Sequence, residues 1–405
     1  MYLGPQLPRW RPRSVAQIQA AIDDGTLTER HWIDVKREVK TSDGDKKELA
    51  RDLASFAIDG GVLVVGVGEN KTDGTLHVTE QPLTGLSEQV EQVARSRCDP
   101  PLFVVCQPLR GADPSTGMLL VEVPPSPLAP HMVEGRYYGR GDKTKITLTD
   151  PDVARLHASR TTRQLNAEQI IAREIARDPA VAAGLDEKGH LFVVAQPLAS
   201  PPDLLTNLLS DDERLRVLIA EVAERTGGTN PNWTYLDRVA TRDAGKAVAS
   251  TFFLPGRLLR PDAREASLLE IELSDNGRLA LFCGRGTDGD NPGEQYVLDG
   301  LVVTLTRALT ALAGVVGADQ GYAGRWLLVV GVTGLSGKPS SMWRQLSADP
   351  LVARHDSDIY IQSTEAVTAE LRDRPGTVTR RLVGRLLRTL QTDKGQHDSS
   401  LADPP

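Results

Sequence analysis

The sequence predicts an α+β protein, with helices and strands in mixed order along 405 residues. Three observations carry that reading. The run "VLVVGVG" (62–68) is short, continuously apolar and bounded by glycine, as a buried strand is. "LFVVCQPL" and "GMLLVEVP" flank the turn "RGADPST" as paired strands. "KKELARDLASFAI" sets Leu49, Leu53, Phe56 and Ala57 on one helical stripe and stops at Gly60 and Gly61.

The other elements follow in order. After a Pro/Arg-rich arm to about Arg13, "SVAQIQAAIDDG" reads as a short helix capped by Ser14. "HWIDVKRE" reads as a strand, and alternation puts Asp34 and Lys36 on one face with His31 on the other. "LSEQVEQVARSR" is helical, "GRYYGRGDKTKITLT" is a strand, turn and strand, and "DPDVARLHASR" starts a helix with Asp150 as cap and Pro151 at its first position.

These elements make a first domain of residues 1–160. Residues 161–393 form a second, mixed α/β domain without obvious repeats. Its helices are expected at 166–177, 202–225, 298–316, 341–346 and 377–390. Its strands are expected at 190–196, 267–273, 278–283, 325–332 and 358–362. The polar, proline-ended segment 394–405 reads as a disordered tail.

The formal charge of −7 argues against a general basic coat for nucleic acid or membrane, and leaves room for a local basic groove. Cys98, Cys106 and Cys283 form no C-x-x-C pair and no zinc pattern, so a reducing cytoplasm is the expected compartment. No signal peptide is expected from the N-terminus, and no apolar run reaches the roughly 18 residues of a membrane span.

Glu29 and Asp34 bracket the start of the first strand, and Glu69 follows the apolar one. Two strand ends of one sheet bring such acids together. Clustered carboxylates need cations, and Mg²⁺ or Mn²⁺ takes oxygen ligands from one or two of them together with phosphate and water. Lys36 shares the Asp34 face, in position to hold a phosphate. The competing reading is a solvated strand edge. Arg136, Arg140, Lys143 and Lys145 cluster with Tyr137 and Tyr138 in one hairpin, while Lys46 and Lys47 open a helix at Glu48. Cations neutralise phosphates and aromatic faces stack on bases, so these residues suit nucleic acid. The alternative is a solvated hairpin edge with tyrosine in the core.

Taken in order, "ERHWIDVKRE", "SFAIDGG", "VLVVGVGEN" and "GRYYGRGDKTK" resemble the Schlafen-type AlbA_2 domain. Glu29, Asp34, Val35 and Lys36 match its E/E-F-K strand. Phe56, Ala57, Gly60 and Gly61 match its helix end, and Gly66 and Val67 its apolar strand. Tyr138, Arg140, Gly141 and Thr144 match its closing turn. Asp34 stands where glutamate is usual, and Gly68 stands at the first acid position of "GVGEN".

The resemblance implies association with RNA or DNA. It also implies a metal-dependent endoribonuclease in which Glu29, Asp34 and Glu69 bind Mg²⁺ or Mn²⁺ and Lys36 steadies a phosphate. The alternative is a non-catalytic regulator or scaffold with vestigial acids. The second domain would then supply a regulatory, protein-binding or homodimer surface. ATP binding is the weakest reading. "GVTGLSGKPSS" follows an apolar strand, yet Val332 and Pro339 stand where a P-loop needs Gly and Ser/Thr. "GRGTDGDNPG" lacks the EF-hand register and reads as a loop.

Overall fold

The computed structural model describes residues 10–403, apart from 71, 73, 164–166, 186, 227–235, 290–294, 347, 348 and 350. The chain divides into two compact units, Met1–Gln164 and Leu165–Pro405.

In the first unit, α1 (Val15–Asp23) is capped by the Ser14 side chain, which accepts from the Gln17 N–H. β1 (Ile33–Lys36) leads to α2 (Asp43–Phe56) and then β2 (Gly61–Val65), which lies parallel to β1. α2 starts earlier than the sequence suggested. Ser42 caps it, with Asp43 and Asp45 in the positively polarised first turn, so Lys46 and Lys47 lie inside the helix rather than at its opening. At its far end Gly60 takes φ +81°, and Gly61 leaves room that Phe56 fills, since a Cβ there would sit 2.0 Å from the ring.

The apolar run expected as one strand is two. Gly66, at φ +102°, turns the chain between β2 and β3 (Val67–Glu69). β3 pairs with β4 (Leu76–Val78), and β5 (Gln81–Pro82) and α3 (Leu86–Arg97) follow. β6 (Val105–Arg110) and β7 (Thr116–Val123) form the expected antiparallel pair, and β2 and β5 also pair with β7. A separate sheet, β8 (Met132–Val133), β9 (Arg136–Arg140) and β10 (Lys145–Thr147), packs against α2. α4 (Asp150–Arg163) closes the unit. Its cap is Thr149 rather than Asp150, because the Thr149 N–H and hydroxyl both donate to Asp152.

The second unit opens with α5 (Ala167–Ala176), α6 (Pro179–Ala182) and β11 (Leu191–Pro197). The helix expected over 202–225 is divided into α7 (Thr206–Leu209) and α8 (Asp212–Arg225), the latter capped by Asp211. The hairpin of β12 (Leu236–Arg242) and β13 (Gly245–Ser250) was not anticipated. β14 (Leu269–Ser274) and β15 (Leu279–Cys283) follow, then the short pair β16 (Thr287–Asp288) and β17 (Tyr296–Val297). α9 (Asp299–Asp319), β18 (Arg325–Val332), β19 (Tyr360–Val367), α10 (Thr368–Asp373) and α11 (Pro375–Thr389) complete it.

Seven antiparallel strands stand in the order β12-β13-β14-β15-β11-β18-β19. Alternation along β11 shows both faces at work. Leu191, Val193 and Ala195 join the cluster made with α8, α9 and α11, while Phe192 and Val194 join Ile170 and Ile171 of α5. α9 is long and apolar enough to cross a membrane, but most of it is buried in this core. β18 runs into a loop and a 3-10 turn at Ser341–Leu346, so the strand–loop–helix order of a P-loop is not built there.

The segment expected as a disordered tail is docked as far as it is described. Leu401 is buried, Arg307 donates to the Ala402 carbonyl, and Asp403 accepts from the Gly376 and Thr377 N–H groups at the start of α11. His397 contacts the buried Asp299 carboxylate at 2.9 Å.

Another buried histidine ties α6 to the sheet. His190 Nδ1 lies 2.6 Å from Asp178 and Nε2 lies 3.3 Å from Glu265. Burial alone would push its pKa down, but the two carboxylates outweigh it and hold the pKa above the ordinary value. The imidazolium therefore stabilises the unit fully below the unfolded histidine value of about 6.5, and that share is lost as pH rises through the raised folded value. The melting temperature of the second unit is expected to fall over that window. His190→Asn should flatten the profile there, measured by calorimetry at a series of pH values.

Candidate nucleic-acid interface

β1 lies at one edge of its sheet, and the face that carries Asp34 and Lys36 meets α2 and the β8-β9-β10 sheet. Asp34 and Lys36 share a face, as alternation required. The Lys36 ammonium lies 2.6 Å from Asp52 Oδ2 and 3.9 Å from Asp34 Oδ2. Asp52 projects from the apolar side of α2 and is 4% exposed. Its other oxygen, Oδ1, takes the Lys145 ammonium of β10 at 2.7 Å, and Lys145 also pairs with Glu48 one helical turn earlier. Arg140 of β9 faces Asp34 Oδ1 at 3.5 Å, with its side chain only 3% exposed. Its Nη2 donates to the carbonyls of Arg30 and Ile33, and its guanidinium lies 4.4 Å from the centre of the Phe56 ring. Three cations and three carboxylates from β1, α2, β9 and β10 thus alternate through a network that is dry at Asp52 and Arg140 and opens to solvent at Glu48.

The titration of these groups follows from that placement. Burial raises the Asp34 pKa, and Asp52 adds to the effect, against the pull of Lys36 and Arg140. Burial works against the Lys36 charge, but Asp52, Asp34 and Glu48 outweigh it and its pKa is raised. Burial also raises the pKa of Glu29, helped by Asp34 and, more weakly, Glu69.

Glu29, Asp34 and Glu69 therefore share one electrostatic neighbourhood. They are not drawn into a ligand set, however: among the described residues no three His, Cys, Asp or Glu side chains group so as to hold a metal ion. Glu29 Oε1 is turned to the Val35 N–H at 3.5 Å, and Glu69 is exposed at the end of β3. Of the three expected acids, Asp34 already faces the Arg140 guanidinium and the Lys36 ammonium.

The residues expected to meet nucleic acid separate into two sets. Lys145 and Arg140 are spent inside the network, and Lys47 pairs with Asp43 at 3.1 Å and Glu134 at 2.8 Å. Tyr138 belongs to the core, and Tyr137 is half-buried against His157, edge to face at 5.7 Å. Neither ring is presented as an open stacking platform. Lys46, Arg136 and Lys143 remain without a carboxylate partner among the described residues, and Arg136 and Lys143 are exposed. His31 is a link rather than a ligand, joined to the Gly141 carbonyl at 3.0 Å and to Asp59 at 3.1 Å.

Asp52 and Glu48 were missed. The signal for Asp52 was present, since it falls three residues after Leu49 and four before Phe56, on the stripe that packs inward. An acid on a buried stripe requires a buried cation.

Residues 29–149 match the family model of the Schlafen AlbA_2 domain. No curated protein matches the chain. Among solved structures, the N-terminal domain of a putative ATP-dependent DNA helicase RecG-related protein from Nitrosomonas europaea is similar at 20% identity. That likeness covers 34% of this chain and 92% of the other, with a TM-score of 0.26. The DIP2311 protein from Corynebacterium diphtheriae is similar at 17% identity over 33% of this chain and 26% of its own, with a TM-score of 0.23. The AlbA_2 match spans the network from Glu29 through Lys145 and leaves the second unit outside it.

Proposed function

We propose that the AlbA_2 domain of this chain binds nucleic acid through the phosphate backbone. What carries the reading is the contrast among its cations. Those that build the network are neutralised within it, whereas Lys46, Arg136 and Lys143, on α2, β9 and the β9–β10 turn, have no carboxylate partner among the described residues. The family match supports the same reading. With a formal net charge of −7, the chain has no general basic coat, so binding depends on such segregated charge.

The test is affinity for single-stranded RNA, structured RNA and duplex DNA against salt concentration. Affinity should fall steeply with salt. Lys46→Ala, Arg136→Ala and Lys143→Ala should each weaken binding of all sequences alike and lower the salt slope by about 1. No binding at low salt overturns the proposal.

Metal-dependent endoribonuclease action is the second reading. It is supported by the crowding of Glu29, whose pKa is raised by burial and by the nearby Asp34 and Glu69 carboxylates, a repulsion that a divalent cation would relieve. Cleavage of structured RNA with Mn²⁺, compared between wild type and Asp34→Ala, tests it; equal cleavage by the two removes Asp34 from any mechanism.

A further inference from the structure

The neutralisation of Asp34 and Asp52 has a specific geometry. The two carboxylates come from different elements, Asp34 from β1 and Asp52 from α2, and they face one another across the Lys36 ammonium. A protein can hold such a pair with a proton, with a divalent cation shared between them, or with cationic side chains of its own. Here Lys36 stands between them, and each Asp52 oxygen has an ammonium beside it: Oδ1 accepts from Lys145 at 2.7 Å, and Oδ2 lies 2.6 Å from Lys36 in an ion pair without hydrogen-bond geometry. Asp34 faces Arg140 on one oxygen and Lys36 on the other, at 3.5 and 3.9 Å. Mg²⁺ demands near-octahedral oxygen ligands at about 2.0–2.1 Å and keeps several waters. Seating it between Asp34 and Asp52 would require expelling Lys36 from the more buried of the two.

We infer that Lys36 and Lys145 are built-in counter-cations that take the place of a divalent metal on Asp34 and Asp52, so that this domain binds nucleic acid without one. The inference deepens the nucleic-acid-binding reading and rests on it only for its second half. Its first half, that ammonium groups rather than a metal balance Asp34 and Asp52, concerns the protein alone.

Two measurements on the metal-stripped full chain separate the parts. The first is Mn²⁺ binding without nucleic acid, followed by calorimetry and by the loss of the free-ion paramagnetic signal. Wild type should bind no Mn²⁺ through Asp34 at millimolar metal, and the double variant Lys36→Gln, Lys145→Gln should gain a site, seen also as a rise in melting temperature with added Mn²⁺. Stoichiometric Mn²⁺ on wild type that Asp34→Asn abolishes overturns the inference. Mn²⁺ binding that survives Asp34→Asn lies elsewhere and agrees with it. Should the double variant fail to fold, the wild type and Asp34→Asn still decide.

The second measurement is affinity for RNA and DNA in EDTA and in Mg²⁺ at matched ionic strength. Equal affinity supports the inference, and a loss of tenfold or more in EDTA overturns it. Failure to bind in either buffer removes the nucleic-acid reading and leaves the Mn²⁺ result to stand by itself.

Discussion

Asp52→Ala is expected to destabilise the first unit by about 3 kcal/mol, the lower end of the range for breaking a buried ion pair. The side chain is short, so little packing volume is lost. What remains is the problem: Lys36 and Lys145 lose the carboxylate that holds them, and Asp34 must balance Lys36 from 3.9 Å. Their side chains are 27% and 23% exposed, so each ammonium can turn partly to water, which sets the expectation at the lower end. The measurement is urea unfolding with hydrogen exchange of the α2 amides as a unit-specific probe. The triple variant Lys36→Met, Asp52→Leu, Lys145→Met removes charge from all three positions, and its stability should return to within about 1 kcal/mol of wild type, because an apolar set avoids the desolvation that the ion pairs must offset. If Asp52→Ala unfolds at the wild-type urea midpoint, the network does not hold β1, α2 and β10 together.

Much of this unit could be read in the sequence because local pattern determined it. The paired strands β6 and β7 are separated by a clear turn, and β7 carries the apolar run Met118–Val121. The parity that puts Asp34 beside Lys36 depends on strand geometry alone. The stripe of α2 follows from helical spacing. The rest depends on partners far along the chain. Nothing local says that Gly66 divides "VLVVGVG": its N–H goes to the Lys36 carbonyl and its carbonyl accepts from Thr79, contacts made only when β1 and β4 are in place. Arg140 and Lys145 look like a surface hairpin's charges until α2 and β1 are seen to hold their counter-ions. In the second unit, the β12–β13 hairpin was hidden by small and polar residues such as those of "GKAVAS", which become buried only as an inner strand between β12 and β14. The tail read as disordered because it is polar, whereas its polar groups are the ones that cap α11 and reach Asp299.

The second large effect is expected in the other unit. Glu270→Ala should destabilise it by about 3–5 kcal/mol, more than Asp52→Ala costs the first unit. Glu270 lies in the middle of the sheet on β14 and is 1% exposed. Its Oε1 takes Arg242 Nη2 at 2.5 Å and Nε at 3.1 Å, and its Oε2 takes Arg257 Nε at 2.6 Å. Arg257 is fixed further by donating to the Arg177 carbonyl at 2.6 Å, and its backbone sits at φ +64°, a conformation a non-glycine residue keeps only when its surroundings impose it. Lysine would shed its proton when stranded in such a place; arginine does not, so both guanidinium charges would remain, buried and unpaired. Glu270→Gln keeps the shape and one acceptor oxygen, and should fall between alanine and wild type. The contrast is Glu365→Ala on the edge strand β19, where the pair with Arg325 at 3.7 Å has a carboxylate side chain 52% exposed. That change should cost less than about 1 kcal/mol. Unfolding midpoints of the three variants measure the difference. Equal losses for Glu270→Ala and Glu365→Ala would mean that water reaches the Glu270 cluster, and that the sheet, rather than its ion pairs, holds α5, β14 and the Arg257 turn in place.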